Sequence, residues 1–152
     1  MGAVGSLEGG LPFSDGSFDV VLALNVLEHV FNHAGLVAEI YRVLACGGRT
    51  YIYVPFLIRI HPSPEDFFRY TERALRVILE RGGFADIRVH AITGLAASLF
   101  DLAAPLTLPL GRLRAVPAMA AVTVDAVLRR LRPAGVSKYV LGYTCEAVKP
   151  SR

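Results

Sequence analysis

The sequence is poor in most features that announce a function on their own. It has two cysteines, Cys46 and Cys145, far apart, in no CxxC motif and with no histidine at metal-ligand spacing. That argues against a disulfide framework or a metal site and reads as two free thiols in a reducing cytoplasm. Lysine is nearly absent: of 16 basic residues, all but Lys138 and Lys149 are arginine. Against 13 acidic residues this leaves a net charge of +3 with no long run of one sign, which disfavours a dedicated nucleic-acid binder. No apolar run approaches the roughly 18 residues a membrane span requires. The greasiest stretch, Thr93–Pro133, is broken by Asp101, Arg112, Arg114 and Asp125. The opening MGAVGSLEGG has neither a basic nor an apolar region, so it does not read as a signal peptide. It does place Ser6 where a myristoylation motif wants it, a pattern with meaning only in a eukaryote. Internal repeats and low-complexity tails are also missing.

What the chain has is core-forming material. Hydrophobic residues make up 53% of its 152 positions, enough for one ordered domain or part of one. The informative stretch is Leu11 to Pro55. Phe18–Leu24 (FDVVLAL) is a short, nearly all-apolar run that suits a parallel strand buried on both faces. From about Asn32 to Leu44, apolar residues recur at Leu36, Val37, Ile40, Val43 and Leu44, which is helical spacing, and Cys46-Gly47-Gly48 is the stop. Arg49–Val54 is a second β-rich run closed by Pro55. A helix between two such strands is a βαβ crossover. Open sheets of this kind bind ligands beyond the carboxyl ends of their strands.

Further along, Phe56–Tyr70 reads as a long loop. Thr71 suits an N-cap for a helix over Glu72–Arg81 that Gly82-Gly83 ends. Phe84–Ile92 alternates as a strand, and Tyr139–Val148 is the last strand candidate. Between them, Ala115–Leu131 is helical in pattern and ends in Arg129, Arg130 and Arg132. That stretch is either a helical pair covering the sheet or a substrate pocket, or an interfacial patch, over about 95–132, that lies on a membrane.

Leu11-Pro12-Phe13, Asp15, Ser17-Phe18-Asp19, Leu27-Glu28-His29, Glu39, Arg42-Val43-Leu44 and Gly47-Gly48 stand in an order and spacing that resembles the second half of a class I S-adenosylmethionine-dependent methyltransferase, of the methyltransferase type 11 variety. The loop HPSPEDFFRYT and the helix ending in Gly-Gly-Phe extend the resemblance over about residues 5–92, with Tyr139–Lys149 as the final strand. It implies an α/β, Rossmann-like sheet of order 3-2-1-4-5-7-6, the seventh strand antiparallel. Here Phe18–Leu24 would be strand 4, Arg49–Val54 strand 5, Phe84–Ile92 strand 6 and Tyr139–Val148 strand 7. The core would comprise 5–92 and 138–149, with an apolar helical insert over about 93–133. Strands 1 to 3 have no counterpart, nor have the glycine-rich cofactor loop and the acid that holds the ribose: Gly2, Gly5, Gly9 and Gly10 follow no strand. Ser6 stands where an acid beside the adenine is usual, and Cys46 replaces a proline. The expectation is the C-terminal part of an N-terminally truncated domain.

The same resemblance implies S-adenosyl-L-methionine as cofactor, contacted by Ser6 and Leu7 at the adenine and by Leu24, Asn25 and Val26 at the methionine end. Methyl transfer from a sulfonium is an in-line displacement in which the protein mostly aligns the reactants and excludes water. A base is needed only for a poorly acidic acceptor. His29 is the candidate base or orienting group, or else a packing residue. Glu28 is read as an anion near a helix start, and Asn25 is either a cofactor contact or a local cap. In the loop, His61, Asp66, Arg69 and Tyr70 either grip the acceptor or, for Asp66 and Arg69, form a local ion pair. The expected acceptor is a small molecule, lipid or glycan intermediate, in a cytoplasmic or membrane-peripheral protein, with no nucleic acid involved. The competing expectation is a non-catalytic module that pairs with a chain supplying the missing strands, because an unpaired apolar edge aggregates.

Overall fold

The computed structural model describes Leu7 and residues 9–60, 65–103, 115–131 and 139–151, without the side chain of Arg129. Among the described residues, four strands and four α-helices follow in the order β1 (Phe18–Leu24), α1 (His33–Val43), β2 (Leu44–Pro55), α2 (Glu72–Arg81), β3 (Ala85–Thr93), α3 (Leu95–Leu102), α4 (Ala115–Leu131) and β4 (Val140–Val148). A 3₁₀ turn, Leu27–His29, lies between β1 and α1. The sheet order is β1-β2-β4-β3, which is the expected 4-5-7-6 succession. β1 and β2 are parallel. β4 is antiparallel to both neighbours: Gly47 donates to Lys149 and Phe56 to Leu141 on one side, while Gly94 pairs with Tyr139 on the other.

The chain forms two compact units. The first comprises Met1–Pro55, His61–His90 and Tyr143–Arg152; the second comprises Phe56–Ile60 and Ala91–Gly142. In the first, Leu36, Val37, Ile40 and Val43 of α1 and Leu75 and Leu79 of α2 are buried with Ile52 and Val54 of β2. Caps set both helix starts: the Asn32 side chain accepts from the Gly35 N–H (3.1 Å) and Thr71 Oγ1 from the Ala74 N–H (3.3 Å). Lys149 closes the far end of α1. Its ammonium donates to the carbonyls of Tyr41 (2.9 Å) and Leu44 (2.7 Å), where the helix dipole is negative, and lies over the Tyr41 ring.

Two expectations need correction. β1 is not buried on both faces. Val20, Leu22 and Leu24, which share one face by the two-residue period, are 51, 63 and 54% exposed, while Val21 and Ala23 on the other face line a cavity with residues of α1. Nor is Cys46-Gly47-Gly48 a turn between helix and strand. β2 begins at Leu44, and its register runs from Leu44 opposite Phe18 to Arg49 opposite Val20, so five positions of β2 match two of β1. The surplus is a bulge. Gly47 takes it up at φ +78°, and a Cβ on Gly48 would stand 2.8 Å from the Ala45 carbonyl oxygen. Cys46 is exposed there, while burial pushes the Cys145 thiol up to about 12; both thiols are free.

The segment before β1 is held by one arginine. Arg42 donates from Nε to Glu39 (2.8 Å) and from its two terminal nitrogens to the Leu11 and Phe13 carbonyls and the Asp15 carboxylate. Glu39 in turn accepts the Leu11 N–H at 2.8 Å. The Leu-Pro-Phe and Asp15 signature is therefore a clasp onto α1.

In the second unit, α3 packs on α4, and a carboxylate joins them. Asp125, buried in α4, accepts from the N–H groups of Ala96 (2.9 Å) and Ala97 (2.8 Å) at the start of α3. A Cβ on Gly94 would come within 2.6 Å of Asp125 Oδ2, so the approach requires glycine. The α3 side opens an apolar pocket of ≈ 330 Å³ lined by Phe56, Leu57, Leu95 and Leu99 among others. Among the described residues, no helix is long and apolar enough to cross a membrane.

The Arg42 hydrogen bonds, and then the Leu11 N–H, hold the Glu39 carboxyl down at about 2, against an ordinary 4.5. A depressed carboxyl stabilises the fold fully above its unfolded value and ceases to do so as pH falls through the folded one. Melting temperature should therefore drop between about pH 4.5 and pH 2, and Glu39→Gln should flatten that limb; an unchanged limb in the variant would remove Glu39 as its source. For the second unit, Asp125→Ala removes the acceptor of two part-buried donors and should cost about 1–2 kcal/mol in denaturant unfolding. A loss near zero would show that the α3–α4 pair does not rely on this cap.

Candidate functional site

The site is built where β1 and β2 end. The ladder continues one step past β1, with the Asn25 N–H donating to the Tyr53 carbonyl at 3.0 Å. Asn25 then adopts φ +53°, a left-handed conformation that asparagine tolerates better than most residues. The kink takes the chain off the sheet and into the Leu27–His29 turn. It leaves Leu24 and Asn25 exposed and Val26 half-buried, at the edge where this kind of sheet receives ligands.

On the α1 side, Leu7, Leu11, Val21, Ala23, Val26 and Ile40 are among the walls of an aliphatic cavity of ≈ 140 Å³. That is close to the roughly 150 Å³ of a cavity that accepts a benzene ring. Leu7 reaches it because the Arg42 clasp fixes Leu11.

On the other side a buried carboxylate is enclosed. Glu28 is completely buried. His29 Nε2 lies 3.7 Å from its Oε1, and His29 Nδ1 pairs with the Glu65 carbonyl. A carbonyl can only accept, so Nδ1 carries the proton. The loop clasps the turn twice more: Phe67 N–H donates to the Glu28 carbonyl (2.8 Å), and Tyr70 Oη–H to the Leu27 carbonyl (3.1 Å). Burial, and then the charge of Glu28, push the Tyr53 and Tyr70 phenols above their ordinary range. Both stay protonated, and Tyr70 serves as a donor. Asp66 and Arg69 form a two-pronged pair, the second prong at 2.6 Å, and the Asp66 hydrogen bond holds the Arg69 guanidinium protonated even more firmly than usual.

Around this clasp stands a set of rings. Phe31 meets Phe67 at 5.5 Å and Phe68 at 6.0 Å, and His33 meets Phe68 edge-on at 4.9 Å and Tyr70 at 5.6 Å. Phe31 is 66% exposed and Phe67 is exposed too, so the shelf presents aromatic surface.

The residues expected from sequence distribute as follows. Leu7 and Val26 share the aliphatic cavity, and Leu24 and Asn25 are exposed at the end of β1. His29, Asp66, Arg69 and Tyr70 are brought together, but around the Leu27–His29 turn, with their polar atoms engaged by one another and by backbone. Ser6 and His61 lie outside the described residues. The sequence reading missed Phe31, Phe67, Phe68 and His33 as a cluster, and Glu28 as the buried charge at the centre. The adjacent phenylalanines of DFFRY were the available signal.

Known proteins resemble the chain in sequence over its first third and in fold. Residues 3–52 match the sequence family described as "Methyltransferase domain". No curated protein matches the chain by sequence. Among solved structures, the [4+2]-cyclase SpnF superposes with a TM-score of 0.63 at 17% identity, covering 99% of this chain and 57% of its own. Phosphoethanolamine N-methyltransferase 2 of Haemonchus contortus, in complex with S-adenosyl-L-methionine, superposes at 0.57 and 19%, covering 91% of this chain and 35% of its own. A SAM-dependent methyltransferase of Thermotoga maritima gives 0.55 and 16%, covering 95% and 62%. The chain thus spans from about a third to under two thirds of the length of these structures. The fold is that of these S-adenosylmethionine-dependent methyltransferase structures, and the match to the methyltransferase-domain model covers residues 3–52. S-adenosylmethionine is the cofactor that goes with the class.

The Asn25 kink separates strain from side-chain contact. Asn25→Gly should leave unfolding free energy nearly unchanged, whereas Asn25→Ala should lose about 1 kcal/mol. Equal losses in both variants would mean that the amide, not the backbone, stabilises the turn.

Proposed function

We propose that this chain takes part in S-adenosylmethionine-dependent methyl transfer, supplying the strand 4 and strand 5 side of the cofactor cleft. The observation that carries the reading is the exposed end of β1 at Leu24 and Asn25, next in sequence to Val26, which lines the aliphatic cavity together with Leu7. Its donor set fits the cofactor in part. Flat aliphatic walls suit an adenine ring, and the exposed backbone at Leu24 and Asn25 suits the polar methionine end. When bound, the cofactor supplies an activated methyl group.

The remaining residues act by alignment and exclusion of water. Glu65, Phe67 and Tyr70 pin the Leu27–His29 turn, so the loop after β2 and the turn after β1 form one rigid wall. His29 is an orienting group in this arrangement, since both ring nitrogens face inward. The acceptor, a small molecule or the head of a lipid or glycan intermediate, rests on the exposed Phe31 and Phe67 surface. Asp66 and Arg69 shape the loop that carries it.

A second reading has its own support. The exposed apolar side chains of β1 favour pairing with further strands, and a non-catalytic module would use the edge in the same way. SpnF, described as a cyclase, is a reminder that this fold serves more than one chemistry.

A titration of the isotope-labelled chain with S-adenosylhomocysteine, followed by amide NMR, tests the first reading. Saturable shifts at Leu24, Asn25, Val26 and Leu7 are expected, with binding weaker than that of a complete cleft. Saturating ligand that leaves those four amides in place would sink the methyl-transfer reading and leave the module.

A further inference from the structure

Helix α4 carries a face left uncovered. Val116, Met119, Val124, Val127 and Leu131 are all exposed, Met119 by 71% and Leu131 by 72%. At 3.6 residues per turn these positions fall within roughly 140° of one side of the helix. Ala120, Thr123 and Arg130 lie on the same side and are exposed as well. Asp125 projects from the opposite side, where its carboxylate is used up on the first N–H groups of α3.

The charges around this helix have one sign. From position 112 to 132 the sequence holds Arg112, Arg114, Arg129, Arg130 and Arg132, and a single acid, Asp125. Because Asp125 is buried, the described exposed face offers an aliphatic stripe that carries Arg130 and no compensating carboxylate.

We propose that the outer face of α4 is a docking surface for an anionic lipid bilayer, lying in the interface plane with its aliphatic side chains in the acyl boundary and its arginines among the headgroups. Three observations favour a bilayer over other occupants. An amphipathic helix with basic flanks, too short and too polar to span, is the physical description of an interfacial helix. A second copy of the chain would have to bring the same arginine-flanked stripe against itself, setting like charges together. A protein partner is usually met by a cluster of aromatic anchors, and this stripe holds Val, Met, Leu, Ala, Thr and Arg130 but no aromatic side chain. The proposal does not depend on methyl transfer and stands or falls separately from it.

The test is flotation of the chain with vesicles of phosphatidylcholine alone and of phosphatidylcholine mixed with phosphatidylglycerol, at low and high salt. The chain should float with the mixed vesicles, far less with the neutral ones, and high salt should weaken it. Met119→Glu should lower the partition coefficient about tenfold or more, and Arg130→Glu about fivefold or more. Both residues are exposed, so the far-UV spectrum should be unchanged, and Arg130→Glu leaves the apolar stripe intact as an independent check. Equal binding to both vesicle types, no binding at low salt, or wild-type flotation by both variants would overturn the proposal. So would a lipid-free dimer that Met119→Glu dissociates, since the face would then be an interface between copies.

Discussion

The parallel register of β1 against β2 is the constraint from which the site follows. It sets Leu24 beside Tyr53 and lets Asn25 take one more ladder bond before the chain turns away. Moving the pairing by one residue would exchange the faces of β1. Val21 and Ala23 would turn away from α1, and the exposed face that holds Val20 and Leu24 would turn toward it. The bulge at Ala45–Gly48 is part of this constraint. It absorbs the surplus residues of β2 near the start of the pair, so that the carboxyl ends of the two strands finish level.

Around that register, two clasps do complementary jobs. Arg42 and Glu39 hold the entry to β1, while Tyr70, Phe67 and Glu65 hold its exit. Both work by giving backbone groups of irregular segments fixed partners, which loops otherwise seek from water. The exit clasp also encloses Glu28. A carboxylate removed from water costs free energy unless polar groups face it, and here His29 lies beside it while its charge is felt at Tyr53, Tyr70 and Arg69. A wall of this rigidity is what alignment catalysis asks for.

Much of this architecture was legible in the sequence because its signals are local. Thr71 and Gly82 bound α2 where the cap and stop residues stand, α4 begins and ends where its apolar period does, and the order of weak motifs indicated the 4-5-7-6 sheet. The misreadings concern quantities that depend on neighbours. FDVVLAL is as apolar as a buried strand, yet its burial is set by what lies on its free side. Gly47-Gly48 signals a sharp change of direction, and a bulge satisfies that signal as well as a helix stop does. The aromatic shelf joins Phe31 to Phe67 and Phe68 across more than thirty positions of sequence, and no spacing rule links them. His29 and Tyr70 were singled out for their chemistry, and the structure shows that their hydrogen-bonding capacity is directed at the turn.

The exposed surface of the first unit and that of the second differ in kind, and the difference bears on what each does. On β1 the exposed Val20, Leu22 and Leu24 alternate along a strand whose outer backbone groups are also available. Such an edge calls for a hydrogen-bonding partner of its own kind, that is, another strand. On α4 the backbone groups of the helix interior are satisfied within the helix, so the exposed Val116, Met119, Val127 and Leu131 ask for an apolar medium, without directional demands. A bilayer interface meets that need, and a strand does not. The inward use of Asp125 then has a double consequence. It caps α3, which holds the helical pair together, and it withdraws the only acid between positions 112 and 132 from the face that a negatively charged surface would otherwise repel.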